Sequence, residues 1–116
     1  MKHRIQEYRP WGKYEVLIDE KNCKVKKITV KPGGRLSYQY HHKRSEVWVI
    51  VKGTAEVRLD DTTKVYGVGD VVQIPTLAKH QPKNIGDEDL VFIEIQLGEY
   101  FGEDDIVRLE DKYGRV

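Results

Sequence analysis

Four side chains with metal-binding donor atoms lie near the ends of predicted strands: Gln39, His41, Glu46 and His80. Gln39 and His41 are two residues apart, so on a strand their side chains point to the same face. Glu46 follows where the next strand begins, and His80 belongs to a separate, later strand. Two imidazoles, a carboxylate and an amide oxygen suit Zn, Mn, Fe, Co or Ni. We therefore expect a divalent metal at these four residues, with zinc first among the candidates.

The elements that must position these ligands are short strands. Ten glycines and four prolines divide the chain into stretches rich in Val, Ile, Thr and Tyr, which is typical of β-structure. The pattern predicts strands at 14–17, 24–30, 35–41, 47–51, 54–60, 63–66, 71–74 and 90–97. Many short strands with frequent turns and no βαβ alternation predict an all-β fold, an antiparallel β-barrel or jelly roll.

Composition limits what the protein is expected to do. Its 116 residues predict one domain over 1–116, and 20 basic against 19 acidic residues give a net charge of +1. A protein with this charge balance lacks the strong positive electrostatic potential of a non-specific nucleic-acid binder. The longest apolar run, 47–51, has five residues, far fewer than the roughly 20 of a membrane helix. With no signal peptide visible and a single cysteine, a cytoplasmic protein is expected, without nucleic-acid or membrane partners.

The spacing of the candidate ligands is specific. It follows G-x5-Q-x-H-x4-E-x6-G over 33–53 and G-x5-P-x-L-x2-H-x3-N over 69–84. These two patterns resemble the signature motifs of the cupin superfamily, with two departures. Gln39 stands where a histidine is usual but still offers a carbonyl oxygen. Leu77 stands where a glycine is usual, which questions a turn with positive φ at that position.

A closer resemblance covers most of the chain. The stretches 9–12, 39–46, 53–55, 74–75, 94–96, 102–108 and 111–115 are similar to the type II mannose-6-phosphate isomerase cupin. In that family the cupin is commonly the C-terminal domain of a bifunctional protein with a mannose-1-phosphate guanylyltransferase domain. This chain resembles the cupin alone and contains no Gly-rich nucleotide loop, so no guanylyltransferase activity is expected. The family often has histidines at the positions of Lys43 and Val47.

The resemblance implies an aldose–ketose isomerase that interconverts mannose 6-phosphate and fructose 6-phosphate. The reaction moves a proton between C2 and C1 through an enediol, and the metal would act as a Lewis acid. Glu94 is the candidate base, and Glu46 could serve only if its hold on the metal loosened. The alternative for Glu94 is an ordinary solvent-facing strand residue.

Three arginines, Arg44, Arg108 and Arg115, are candidates for the phosphate anchor, because guanidinium groups match phosphate oxygens bidentately. They could instead pair with nearby acidic residues on the surface. A cluster of lysines at 24, 26, 27 and 31 is expected to form a solvated strand edge.

Two further expectations concern partners and activity. A homodimer is expected, because small barrels often bury a sheet face against a second copy. The competing function is a non-catalytic or differently specific cupin that binds a sugar phosphate or a small oxyacid. Product formation from mannose 6-phosphate would separate the two, because a binding module gives a thermal shift without product.

Overall fold

The computed structural model describes residues 6–115, within which eleven strands and one 3₁₀ turn occur. The strands are β1 (Gln6–Arg9), β2 (Gly12–Asp19), β3 (Cys23–Val30), β4 (Tyr38–Tyr40), β5 (Arg44–Lys52), β6 (Ala55–Leu59), β7 (Thr62–Tyr66), β8 (Val71–Ile74), β9 (His80–Asn84), β10 (Leu90–Gly98) and β11 (Val107–Glu110). The 3₁₀ turn, Glu103–Asp105, precedes β11. Among residues 6–115, no helix has the length and apolar character needed to cross a membrane.

The strands form two antiparallel sheets that pack face to face. One has the order β1-β2-β3-β10-β5-β8 and the other β11-β4-β9-β6-β7. Strand β5 faces β9 across the interior, with the rings of Trp48 and His80 5.7 Å apart. The edge with β2 and β3 faces the 3₁₀ turn before β11, since Tyr14 donates a hydrogen bond to Glu103. The predicted all-β jelly roll is confirmed.

The core fills one end of the sandwich and leaves the other end polar. Inward positions alternate along β3, β5 and β10, as expected for strands with one covered face. Toward one end these positions carry Ile28, Val30, Ile50, Leu90 and Phe92. Toward the other end the same faces carry charged and amide groups that are equally buried: Lys26, Arg44, Glu46, Glu94 and Gln96.

Strands β1 and β11 were missed by the sequence pattern, and β9 was expected only as a later strand that carries His80, without bounds; each has a local reason. Strand β1 is mostly exposed, and β11 has only four residues, so neither shows strong alternation. Strand β9 contains Pro82, which cannot donate to a sheet ladder. Pro82 is tolerated because the segment beside it, at Leu36, precedes β4 and does not need a regular ladder of hydrogen bonds. A backbone bond there runs from the Leu36 N–H to the Pro82 carbonyl. The predicted strand 35–41 is correspondingly reduced to Tyr38–Tyr40.

The outer face of the six-stranded sheet is apolar along β5 and β10. Val47 and Val49 alternate with the buried residues of β5, and Val51 and Leu97 are exposed. The unbroken apolar run of β5 therefore reflects one buried face and one partly covered outer face. The homodimer expected from the sequence stays a prediction.

Candidate metal centre and substrate cavity

A cavity opens between the two sheets at their polar end. The six-stranded sheet contributes Lys26, Glu46 and Glu94, and the five-stranded sheet contributes Gln39 and His80. Residues of the two predicted motifs, which are distant in sequence, therefore line one cavity. The remaining walls include the following residues: Arg9, Trp11, Tyr14, Ile28, Leu36, Ser37, His41, Arg44, Trp48, Pro82, Glu103, Ile106, Arg108 and Arg115.

The two histidines are held in a single orientation by backbone carbonyls. Nδ1 of His41 lies 2.9 Å from the carbonyl oxygen of Asp105, and Nδ1 of His80 lies 2.9 Å from that of Ala78. A carbonyl only accepts, so both Nδ1 atoms must carry the proton. Both Nε2 atoms then carry a lone pair that can bind a metal, an arrangement that carbonyl partners commonly enforce on metal-bound histidines.

The bare nitrogens converge on one point together with a carboxylate. Nε2 of His41 is 3.2 Å from Nε2 of His80 and 3.1 Å from Oε2 of Glu46. The ligand atoms of the three residues lie within 4.8 Å of one another. Two metal–nitrogen bonds of about 2.0–2.1 Å meeting at about 100° span such a nitrogen–nitrogen distance. His41, Glu46 and His80 therefore fit a divalent cation.

Glu46 is held as a carboxylate despite being buried. Burial alone raises its pKa, but the contacts with His41, His80 and Arg44 outweigh this and bring the pKa well below its usual range. Its oxygens accept hydrogen bonds of 2.9 Å from Arg44 Nε and from Trp48 Nε1. Burial lowers the pKa of His80. A charged carboxylate beside a neutral imidazole is the protonation state that metal binding requires.

Gln39 lies beside the three-residue group. It pairs in register with His80 across β4 and β9, lines the cavity and is buried. Its amide nitrogen donates to the hydroxyl oxygen of Ser37 at 3.0 Å. That bond fixes the amide so that its oxygen stays available. Its role as a fourth ligand stays a prediction.

Glu94 is buried inside the same cavity and does not face solvent. It lies on the inward face of β10 with Phe92 and Gln96. Burial, followed by the negative charge of Glu46, raises the pKa of Glu94 to about 7, against the opposing effects of Lys26, Arg44 and Gln96. A carboxyl with a pKa near neutrality in a cavity has the property expected of a general acid and base.

The three candidate arginines all line the cavity but differ in their partners. Arg44 is tied to the metal-binding group through Glu46 and through a contact of 3.2 Å from Nη2 to Nε2 of His41. Arg115 forms a fork with Asp111, with bonds of 2.7 and 3.0 Å. Arg108 pairs in register with Gln39, and its buried Nε has no hydrogen-bond partner in the part of the chain described. Arg44 also keeps a buried Nη1 without a partner among the described residues, so Arg108 differs from the other two in having no acidic partner at its Nε.

The comparison with known proteins decides the family. Residues 1–111 match the family described as mannose-6-phosphate isomerase C-terminal. The chain belongs to this mannose-6-phosphate isomerase C-terminal family. It is 47% identical over 116 residues to mannose-1-phosphate guanylyltransferase of Escherichia coli (strain K12), an alignment that covers 98% of this chain and 24% of that protein. The chain thus spans about a quarter of the length of this curated relative.

Solved structures place this family member among the cupins. The capsular polysaccharide assembling protein CapF from Staphylococcus aureus is 26% identical, with a TM-score of 0.80 over 96% of this chain and 35% of that one. The Cnp3 cupin domain of Schizosaccharomyces pombe is 20% identical, with a TM-score of 0.72 over 74% of this chain and 64% of that one. At that identity the Cnp3 likeness shows the fold alone. The resemblance to cupins is confirmed.

The two positions at which the family often has histidine lie away from the cavity. Lys43 is exposed, and its ammonium lies 4.8 Å from the centre of the Tyr100 ring. Val47 lies on the outer face of β5, between the inward residues Glu46 and Trp48. Replacing histidine at either position therefore removes no group from the cavity of this family member.

The turn that precedes His80 is kept without its usual glycine. Leu77 adopts a φ of 71°, a left-handed conformation that costs a side-chain-bearing residue about 1–2 kcal/mol. Its N–H donates to the carbonyl oxygen of His41 at 2.9 Å. The turn therefore joins the second motif directly to a candidate ligand of the first motif, through a backbone bond that helps to hold the left-handed conformation.

Sequence reasoning missed three residues of the site. Asp105 is buried, and its carboxylate accepts the N–H groups of His42 and Lys43 at 3.0 and 2.9 Å. Lys26 was assigned to a solvated edge, which is wrong, because β3 is an interior strand and Lys26 is 5% exposed. Its alternation with Ile28 and Val30 could have placed it inside. Arg9 lies in a stretch that resembles the family, but no spacing linked it to the cavity.

Proposed function

We propose that this chain is a metal-dependent sugar-phosphate isomerase that interconverts mannose 6-phosphate and fructose 6-phosphate. The observation that carries the proposal is that Glu94 shares one cavity with the group His41, Glu46 and His80. Isomerisation needs a base that removes a proton from C2 and returns it to C1, next to a centre that stabilises the developing negative charge on oxygen. Family membership supports the choice of substrate.

Glu94 acts as the base in this proposal. Because its pKa is raised to about 7, a substantial fraction is ionised at neutral pH, and its conjugate acid can return the proton without a large barrier. Its neighbours on the inward face, Phe92 and Gln96, are fully buried. These neighbours exclude water from the carboxyl and hold it in place, so that the proton is returned to the substrate.

Glu46 has the opposite role. Its low pKa and its hydrogen bonds to Arg44 and Trp48 hold it as an anion, which suits a ligand better than a base. His41 and His80, with Gln39 as the proposed fourth ligand, would complete the metal site. A divalent cation held there would supply Lewis-acid polarisation of the sugar's carbonyl oxygen.

Positive side chains make the cavity suitable for an anionic sugar. The unused Nε of Arg108 favours this residue as a phosphate contact. Arg115 would have to exchange Asp111 for a phosphate before it could bind one. Arg44 keeps an unpartnered Nη1 among the described residues, but its Nε and Nη2 are held by Glu46 and His41. Arg44 therefore fits better as the residue that positions Glu46.

The test is a coupled assay of the full chain with mannose 6-phosphate and Zn, Mn, Co or Ni in turn. We expect fructose 6-phosphate, and we expect Glu94→Gln to lower kcat about 100-fold or more while bound metal is retained. Glu99→Gln is the matched control, since Glu99 is exposed just beyond the same strand. A thermal shift with mannose 6-phosphate but no product with any metal would favour the binding-module alternative. If there is neither product nor a thermal shift, both functions are contradicted.

A further inference from the structure

A lysine lies inside the sandwich, where none of the roles above uses it. The side chain of Lys26 is 6% exposed, and its ammonium lies 3.8 Å from Oε1 of Glu103. That is the nearest acidic oxygen among residues 6–115, and it lies beyond hydrogen-bond distance. The ammonium also lies 4.4 Å from the centre of the Tyr14 ring. A buried ammonium is costly unless its donors are used, so Lys26 has hydrogen-bonding capacity left for a ligand.

The strand register gives the distance of Lys26 from the metal-binding group. Lys26 pairs with Glu94 across β3 and β10, and Glu94 pairs with Trp48 across β10 and β5. Glu46, on β5, points inward two residues before Trp48. Two strand spacings of about 4.8 Å therefore place β3 about 10 Å from β5. This is comparable to the length of an extended six-carbon sugar phosphate, with Glu94 midway.

A second cation accompanies Lys26 at this end of the cavity. Arg9 donates from Nη2 to the hydroxyl of Tyr14 at 3.3 Å, and its guanidinium carbon lies 5.1 Å from the centre of the Tyr14 ring. Lys26 and Arg9 thus share one aromatic ring. Glu103 is their acidic neighbour in the cavity wall, and with 53% of its side chain exposed it is free to turn into solvent when an anion enters.

We propose that Lys26, with Arg9 beside it on the ring of Tyr14, binds the phosphate monoester of the substrate at the end of the cavity away from His41 and His80. This inference rests on the proposed function for the sugar's reacting end. It assigns the phosphate to β3 and the end of β1. A phosphate dianion accepts hydrogen bonds from both groups, whereas a neutral sugar would leave the Lys26 ammonium unpaired.

The experiment is calorimetric titration of the full chain with mannose 6-phosphate, inorganic phosphate and mannose. We expect Lys26→Met to weaken mannose 6-phosphate binding by about 10- to 100-fold, the usual effect of losing one charge-assisted hydrogen bond. The affinity for inorganic phosphate should fall in parallel. The affinity for mannose and the amount of bound metal should not change. Lys26→Arg should recover part of the affinity. Lys27→Met is the matched control, because Lys27 is the next residue on β3 and is exposed.

The outcomes separate this inference from the proposed function. If Lys26→Met loses phosphate affinity and the parent makes no fructose 6-phosphate, the result supports the phosphate subsite and contradicts the isomerase function. A Lys26→Met enzyme that isomerises with the parent's KM supports the isomerase and overturns the subsite. Equal weakening by Lys27→Met would overturn it as well, because the effect would then be one of net charge. The subsite is also overturned if the parent binds no phosphate ester.

Discussion

The Nε2 atoms of His41 and His80 face each other across 3.2 Å, and each ring has its Nδ1 proton committed to a backbone carbonyl. Two nitrogen lone pairs this close repel one another unless a positive charge lies between them. The nearby carboxylate of Glu46 increases the need for that charge. The protein therefore has a preformed place for a cation before any ion binds.

Removal of one imidazole should abolish metal retention. We expect His80→Ala to lose bound metal by elemental analysis, whereas His42→Ala keeps it, because the side chain of His42 is 56% exposed. Added metal at 100 times its Kd should stabilise the parent by about 2.7 kcal/mol and raise its Tm, with no such rise in His80→Ala. Metal retained by His80→Ala would contradict the assignment.

Asp105 should support the metal site without binding the metal. Its carboxylate fixes the backbone of His42 and Lys43, and its carbonyl orients His41. We expect Asp105→Ala to lower metal affinity about 10- to 100-fold and stability by about 1–3 kcal/mol. Asp104→Ala is the control, since Asp104 is an exposed neighbour.

The contribution of Asp105 to stability should depend on pH. Burial raises its pKa, but the two backbone N–H donors outweigh this and the pKa is lowered. A lowered pKa stabilises the fold above the unfolded value near 3.8, and this is lost as pH falls through the folded pKa. The stability gap between parent and Asp105→Ala in urea unfolding should therefore close below pH 4. A gap that stays constant would show that the carboxylate charge is not involved.

Glu94 should give the pH profile its acid limb. With a pKa of about 7, kcat/KM should fall as pH drops below 7, because the protonated carboxyl cannot accept the C2 proton. Folding stability changes with pH in the opposite direction to kcat/KM. A carboxyl whose pKa is raised on folding stabilises the protein fully below its unfolded value of 4.5 and loses this as pH rises through 7. Glu94→Gln should therefore gain stability over the parent between pH 5 and 8, measured by urea unfolding.

Arg108 should affect the substrate and not the metal. Its buried Nε lacks a partner among the described residues, so Arg108→Ala should raise the KM for mannose 6-phosphate about tenfold or more while bound metal is unchanged. Arg115→Ala makes a useful comparison, because the fork with Asp111 holds the pKa of that carboxyl at about 2. We expect its main effect to be on stability. If Arg108→Ala has the kinetics of the parent, Arg108 does not bind the phosphate.

Substitutions of Leu77 test whether the turn before His80 is strained. Because φ is 71° there and the side chain is 54% exposed, glycine should be tolerated better than alanine. We expect Leu77→Gly to be about 1 kcal/mol more stable than Leu77→Ala, and both should retain metal if the bond from residue 77 to His41 survives. Greater stability of Leu77→Ala would mean that the turn relaxes out of the left-handed region.

The sequence by itself determined the fold class and predicted the candidate metal ligands that the structure brings within 4.8 Å of one another. Ligand spacing on strands that alternate with period two allows few arrangements, so His41, Glu46 and His80 could be recognised before the sheets were known. The alternation along β10 placed Glu94 on one face with Phe92 and Gln96, but only the structure showed that this face points inward.

Only the tertiary structure decided which charged residues face the cavity and which partners they already have. Alternation places Lys26 on one face with Ile28 and Val30, but that this face lines a cavity closed by the second sheet is a long-range property that local composition does not encode. The same holds for Arg44 and Arg115, which form ion pairs with Glu46 and Asp111. Charge partners depend on distances across the sandwich, and these are set by packing of the two sheets.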